Sequence, residues 1–307
     1  MPELPDVVVY CEALAARLVG KPLLGVRVRT PFVLRSFDPP ISAASGKLVR
    51  AVRRLGKRLV WELEGDLFLV IHLMIAGRFK WKDGSPGAGI PGKVGIAAFD
   101  FPHGTLLLTE ASMKKRASIH LVRGAAGLEP HARGGLEVLD ADAASFRAAL
   151  TRENHTLKRS LTDPRLFSGI GNAYSDEILH RARLSPVKQT AKMTDQEIGR
   201  LYDATRAVLT EWTDRLRKEA EKGFPEKVTA FREEMAVHGK WGKPCPDCGS
   251  KVQRIVHAEN ETNYCATCQT DGRLLADRAL SRLLKSDWPR SLEDLEDFKE
   301  ERKVKVE

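Results

Sequence analysis

Leu59-Val-Trp-Glu-Leu63 and Leu67-Phe-Leu-Val-Ile-His-Leu73 are short apolar runs parted by the turn residues Gly65 and Asp66. Runs of that length, rich in β-branched and aromatic residues and bounded by turn formers, read as strands. Working outward, Leu23–Arg29, Gly95–Phe101 and Thr105–Thr109 repeat the pattern, with Gly, Pro and Asp between them. A helical stretch, Val7–Leu18, precedes them all, and the Gly- and Pro-rich segment from Asp83 to Lys93 reads as a loop. Residues 1–135 are therefore expected to form a β-sandwich, ending in an Ala/Gly-rich connection from Gly124 to Gly135. From Asp142 onward the apolar residues recur at helical spacing, in Ser145–Thr151, Tyr174–Arg183 and the long Thr194–Lys222. The fold class is α+β.

The chain has 307 residues, 42 % of them hydrophobic, which is ample for buried cores in two domains or one elaborate one. Fifty Lys and Arg stand against 41 Asp and Glu, giving a net charge of +9. That balance favours polyanionic partners, nucleic acid first, without naming a substrate. The start, with Glu3, Asp6 and Glu12 and no basic leader, argues against a secretory signal. Its longest apolar run, Leu67–Gly77, is broken by His72 and too short to cross a bilayer. A cytoplasmic, nucleoid-associated protein with no membrane partner is the expectation.

Cys245-Pro-Asp-Cys248 and Cys265-Ala-Thr-Cys268 suit two knuckles presenting four thiolates to one zinc ion. Four cysteines fill a tetrahedral shell and leave no place for water, so this Zn2+ is structural and not catalytic. Cys11 reads as a small core residue. Lys243, Lys251, Arg254 and His257 give the finger a basic surface. Gly169 and Gly171 precede a helix starting near Asn172, with Lys158, Arg159 and Arg165 close by in sequence. Such a turn either cradles a phosphate at a helix N-terminus or is an ordinary glycine turn.

Taken in order, Pro2-Glu3-Leu4-Pro5, Arg53-Arg-Leu-Gly-Lys-Arg58, Ile71-His-Leu73, Gly169-Ile-Gly-Asn172 and Tyr264-Cys-Ala-Thr-Cys-Gln269 closely resemble the formamidopyrimidine-DNA glycosylase/endonuclease VIII family. The resemblance covers about residues 1–270. It implies an N-terminal β-sandwich over 1–135, a helix-two-turn-helix domain over 142–240 and a zinc finger over 241–270. Residues 271–307 form an extension, expected to be helical over Asp277–Lys285 and disordered from Glu296. The implied activity is that of a bifunctional DNA glycosylase/AP lyase in base-excision repair, acting as a monomer on double-stranded DNA that carries a damaged, oxidised base or an abasic site. A catalytically silent binder of such DNA is the alternative reading.

The resemblance also assigns roles. Pro2, freed by loss of Met1, would be the nucleophile, because a secondary amine attacking C1′ yields an iminium ion. Glu3 would be the general acid or base and Lys57 a cation beside the sugar or its phosphate. His72 and Asn172 match family positions that touch DNA phosphates, and the basic side chains of Lys158, Arg165 and Arg254 are further expected DNA contacts on their charge. The chain also departs from the family. Its usual Asp-Pro-Arg-Arg-Phe-Gly segment appears as Glu110-Ala-Ser-Met-Lys-Lys-Arg-Ala117. Arg116 is expected beside the orphaned base, with Ile75 in place of the family's first wedge residue; otherwise Lys114–Arg116 is a solvated basic turn. Asn260 stands where the family carries a phosphate-gripping arginine.

Overall fold

The computed structural model describes residues 1–226, 228, 231–257, 260–276 and 289–304. Two compact units emerge, one from Met1–Gly135 with Leu209–Ala230, the other from Leu136–Val208 with Phe231–Glu307.

The first unit begins with helix α1 (Leu4–Leu18), then strands β1 (Pro22–Leu23), β2 (Gly25–Val28), β3 (Lys47–Leu55), β4 (Arg58–Leu63), β5 (Leu67–His72), β6 (Gly77–Asp83), β7 (Gly95–Phe101), β8 (Gly104–Glu110) and β9 (Ser118–Arg123), and helix α2 (Gly124–Leu128). The strands form two antiparallel sheets, ordered β1-β3-β4-β5-β9 and β2-β7-β8-β6. Leu59, Trp61, Leu69 and Ile71 from the first sheet meet Phe79, Phe99, Phe101 and Leu106 from the second in one core, with Tyr10, Leu14 and Leu18 of α1 packed against them. Trp61 and Phe99 lie edge to face, 4.9 Å between ring centroids. Each large apolar side chain removed from water there stabilises the sandwich by about 1.5–3 kcal/mol.

Three strands lie where the sequence reading placed none: β3, β6 and β9. In β3 the charges Lys47, Arg50, Arg53 and Arg54 dilute the apolar signal, since much of that strand faces solvent. By contrast, β6 alternates strictly, Phe79 and Trp81 inward with Lys80 and Lys82 outward, a period-2 pattern that was present to be read. Leu55 pairs with Arg58, so Gly56 and Lys57 form a two-residue hairpin turn. Gly56 supplies the positive φ of 61° that such a turn needs at its first position.

The second unit holds α3 (Ala143–Thr151), α4 (Leu157–Thr162), α5 (Asn172–Arg181) and the start of the long α6 (Asp195–Ala220), followed by the hairpin β10 (Gln253–His257) and β11 (Asn260–Tyr264), α7 (Ala266–Thr270) and α8 (Leu292–Val304). Asp142 and Thr156 cap α3 and α4 by accepting the backbone N–H of Ser145 and Arg159. From Leu209, α6 clusters with the first unit, where Arg217 donates to the Glu12 carboxylate and Phe224 and Val228 join the core.

In the tail, disorder was expected from Glu296, yet α8 is a helix. Its start is a reciprocal cap, Ser291 Oγ accepting from Asp294 N–H and the Asp294 carboxylate from Ser291 N–H, each at 3.0 Å. Leu274 is buried with Ile255, Tyr264 and Ala266, and Leu275, Leu292 and Leu295 pack on the same cluster. The tail thus lies on the finger hairpin. The expected helix Asp277–Lys285, with Arg278, Leu280, Leu283 and Leu284, falls outside the described residues. None of the described helices is long and apolar enough to cross a membrane.

Candidate active site and metal centre

Pro2 and Glu3 are buried at the very start of α1. Glu3 is the N-cap: its carboxylate accepts the Asp6 N–H while its own N–H donates to Asp6 Oδ2 at 3.0 Å. Pro5 suits the first turn, whose missing N–H would lack a helical acceptor anyway. The chain's amine sits beside this cap. Burial lowers its pKa, Glu3 and Asp6 pull it back up, and Arg78 and Lys57 push it down again. Two acids and two cations thus act on the Met1 amine, and burial shifts it towards its neutral form. Arg78, on β6, was not among the residues the sequence suggested.

The turn after β5 carries the next candidates. His72 Nδ1 accepts the Met74 N–H at 2.9 Å, which leaves Nε2 to carry the proton of the neutral ring. Burial lowers the His72 pKa to about 4, helped by Arg58, Lys57, Arg133 and His120, so the ring is a neutral donor at pH 7. Met74 adopts the left-handed conformation, with φ 52°. A Cβ at Gly77 would stand 2.2 Å from the Leu73 carbonyl oxygen, so only glycine closes this turn. Arg78 donates to the Ile75 and Gly77 carbonyls, and Ile75 projects 58 % exposed from the tip.

The 110–117 segment is held from within. Glu110, 1 % exposed, accepts the Arg116 and Ala117 N–H groups and the Ser112 hydroxyl, while the Lys115 ammonium reaches the Glu110 and Lys93 carbonyls. On this frame the Arg116 side chain is exposed and Met113 is 100 % exposed. The sequence reading named Arg116 and passed over Met113. No local pattern marks an apolar tip residue; its exposure does.

In the second unit, Gly169 takes φ 82° and α5 begins at Asn172, as the glycine turn suggested. Asn172 Nδ2 donates to the Glu261 carbonyl of the hairpin at 2.9 Å. The Lys158 ammonium, only 13 % exposed, is held by the fully buried Asp176 carboxylate and the Asn172 carbonyl. Arg165 pairs with Asp163 at the surface. Arg254 lies 3.9 Å over the Trp241 ring and 3.4 Å from the Glu261 carboxylate, while Lys251 pairs with Glu296 of α8. The side chains of Asn260 and His257 fall outside the described residues.

The four cysteines converge, Cys245 Sγ to Cys268 Sγ 3.9 Å and Cys248 Sγ to Cys265 Sγ 3.4 Å. Tetrahedral zinc with Zn–S bonds near 2.3 Å sets sulfurs about 3.8 Å apart, so this donor set fits one structural zinc ion. Helix α5 clasps the finger through polar groups. Glu177 accepts the N–H groups of Ala236, Val237 and His238. Asp176 holds His238 Nδ1 at 2.8 Å and the Asn263 N–H. Gln269 joins the Cys265 N–H to the Leu184 carbonyl just beyond α5. The His180 ring is buried with Nε2 3.2 Å from Cys245 Sγ.

Known proteins share this arrangement. Residues 1–118 match the formamidopyrimidine-DNA glycosylase N-terminal domain, 135–218 the H2TH domain of the same enzymes, and 242–270 the zinc finger found in FPG and IleRS. The formamidopyrimidine-DNA glycosylase of Heliobacterium modesticaldum is 32 % identical over 283 residues, covering 88 % of this chain and 100 % of that protein. The crystal structure of the MutM (Fpg) protein from Thermus thermophilus is 34 % identical with TM-score 0.74, covering 87 % of this chain and 98 % of that one. A Lactococcus lactis Fpg variant in complex with DNA containing Fapy-dG superposes with TM-score 0.76 at 26 % identity, covering 88 % and 100 %. With three successive domain matches and relatives spanned end to end, the chain belongs to the formamidopyrimidine-DNA glycosylase family.

Proposed function

We propose that the chain is a base-excision-repair DNA glycosylase with AP lyase activity, acting on double-stranded DNA that contains a damaged, oxidised base or an abasic site. The observation that carries this reading is the burial of Pro2 and Glu3 in a reciprocal cap at the start of α1, at the end of the chain where Asp6, Lys57 and Arg78 also act electrostatically on the Met1 amine. Removal of Met1 would leave Pro2 with a secondary amine. Its lone pair attacks C1′, the damaged base departs with the electron pair of the glycosidic bond, and Glu3 protonates the ring oxygen as the sugar opens to an iminium ion. The iminium acidifies C2′; loss of that proton and departure of the 3′ phosphate cut the strand, and water releases Pro2. Lys57 would steady the developing charge or the adjoining phosphate.

The reaction requires the damaged nucleotide to leave the stack, which costs roughly a few kcal/mol. Ile75 and Met113 are apolar side chains standing in water on braced turns, and Arg116 is exposed in the same loop as Met113. These three are the groups we assign to the vacated space. His72, through its Nε2–H, and the α5 N-terminus at Asn172 are assigned to phosphates. Lys158 supports that terminus from inside, and Arg254, braced on Trp241, takes the finger's phosphate contact in place of an arginine at position 260. We further assign a monomeric, cytoplasmic, nucleoid-associated protein.

A second reading, a silent binder of damaged DNA, is favoured by the departure of the Glu110–Ala117 segment and of Asn260 from the family pattern. Borohydride separates the two. Reduction during reaction with an abasic duplex should trap a covalent protein–DNA adduct, and Pro2→Gly should abolish it. Salt-dependent binding without adduct or strand cleavage would establish the silent binder instead.

A further inference from the structure

His180 occupies the last turn of α5, 4 % exposed, with Nε2 3.2 Å from Cys245 Sγ and 3.9 Å from Asp247 Oδ2. A zinc-bound thiolate is an acceptor only, and 3.2 Å is hydrogen-bond distance for N–H to sulfur. The four cysteines already satisfy a tetrahedral ion, so the imidazole stands outside the coordination shell. A zinc ion with four thiolates carries two net negative charges, which N–H donors aimed at the sulfurs disperse. We propose that His180 donates its Nε2–H to Cys245 Sγ and is a positioning residue of the metal centre, joining it to the last turn of α5.

The consequence is mechanical. Asn172, where α5 begins, and His180 are eight residues apart on one continuous helix, about 12 Å along its axis. Asp176 and Glu177 fasten the middle of that helix to the 236–238 and 263 backbone whatever the metal does. His180 alone of these contacts meets a zinc ligand's sulfur. Metal occupancy is thereby coupled to the helix whose N-terminus faces the glycine turn.

The test uses full-length protein with His180→Gln, which keeps an N–H donor, and His180→Phe, which keeps the volume and removes it. Zinc transfer to a competing chelator should be roughly 10- to 100-fold faster from His180→Phe than from wild type, with His180→Gln close to wild type. In cobalt-substituted protein, removing the donor raises the energy of the sulfur lone pair, so the thiolate-to-cobalt absorption of His180→Phe should move to longer wavelength and that of His180→Gln should move less. Equal zinc release and equal spectra in all three would overturn the proposal. So would His180→Gln behaving like His180→Phe, which reduces His180 to packing. A stronger thiolate band in His180→Phe than in wild type would overturn it too, because the imidazole would then be a ligand displaced by a fourth sulfur. If His180→Phe does not fold, His180→Leu, which also lacks a donor, takes its place in both measurements and is read in the same way.

Discussion

Two buried polar clusters, one in each unit, use the same residue types to opposite ends. Around the chain's start, burial lowers the pKa of the Met1 amine, Glu3 and Asp6 raise it, and Arg78 and Lys57 lower it again. Along α5, Asp176 and Glu177 are consumed by backbone N–H groups, a lysine and a histidine. The first cluster holds opposing charges about a group that can react; the second leaves nothing to react. Buried acid is therefore no mark of catalysis by itself. What it is aimed at decides.

Four experiments press on that contrast. Glu3→Gln keeps an oxygen to cap α1 but loses the acid; base release should fall about 10²–10⁴-fold while the urea midpoint stays put. A comparable fall in stability would mean the N-terminal cluster is structural after all. Asp176→Ala should do the reverse. It strands the buried Lys158 and His238 and should cost about 3 kcal/mol in denaturant unfolding, since removing one partner of a buried pair leaves the other unpaired.

Acid gives the third. His72 is held near pKa 4 against about 6.5 when unfolded, so both states are neutral above pH 6.5 and the ring contributes its full share there. As pH falls from 6.5 towards 4 the unfolded chain takes the proton first, and stability drops by up to about 3 kcal/mol from this ring. Urea unfolding at pH 7.5 and 4.5 should show a smaller drop in His72→Gln; an unchanged drop would shift the acid sensitivity to His120, whose pKa is also lowered to about 4. The smallest effect belongs to Lys251→Ala. Its exposed pair with Glu296 should contribute under about 1 kcal/mol, while any gain or loss in salt-dependent binding to abasic duplex reports whether that lysine meets DNA.

Much of this was legible in the chain. The paired cysteines, the Pro2-Glu3-Leu4-Pro5 start and the glycine turn are local signals, and the apolar strands β4, β5, β7 and β8 announce themselves. Strand β3 hid because its solvated face is arginine, and α8 because its capping box, Ser291 to Asp294, was overshadowed by the charge that follows. Long-range chemistry was out of reach. Glu177 finds its partners some sixty residues away, His180 finds Cys245 at a separation of 65, and Arg78 reaches the amine only through the folding of β6. No spacing rule encodes those meetings.

Glu110 fixes the far shoulder of its loop through the main-chain N–H groups of Arg116 and Ala117, bonds that ignore what the side chains at 116 and 117 are. The crown of the loop, Met113 and Lys114, is left exposed. It is thus an exchangeable cassette: its chemistry can drift, or be redesigned, without retuning the scaffold that presents it.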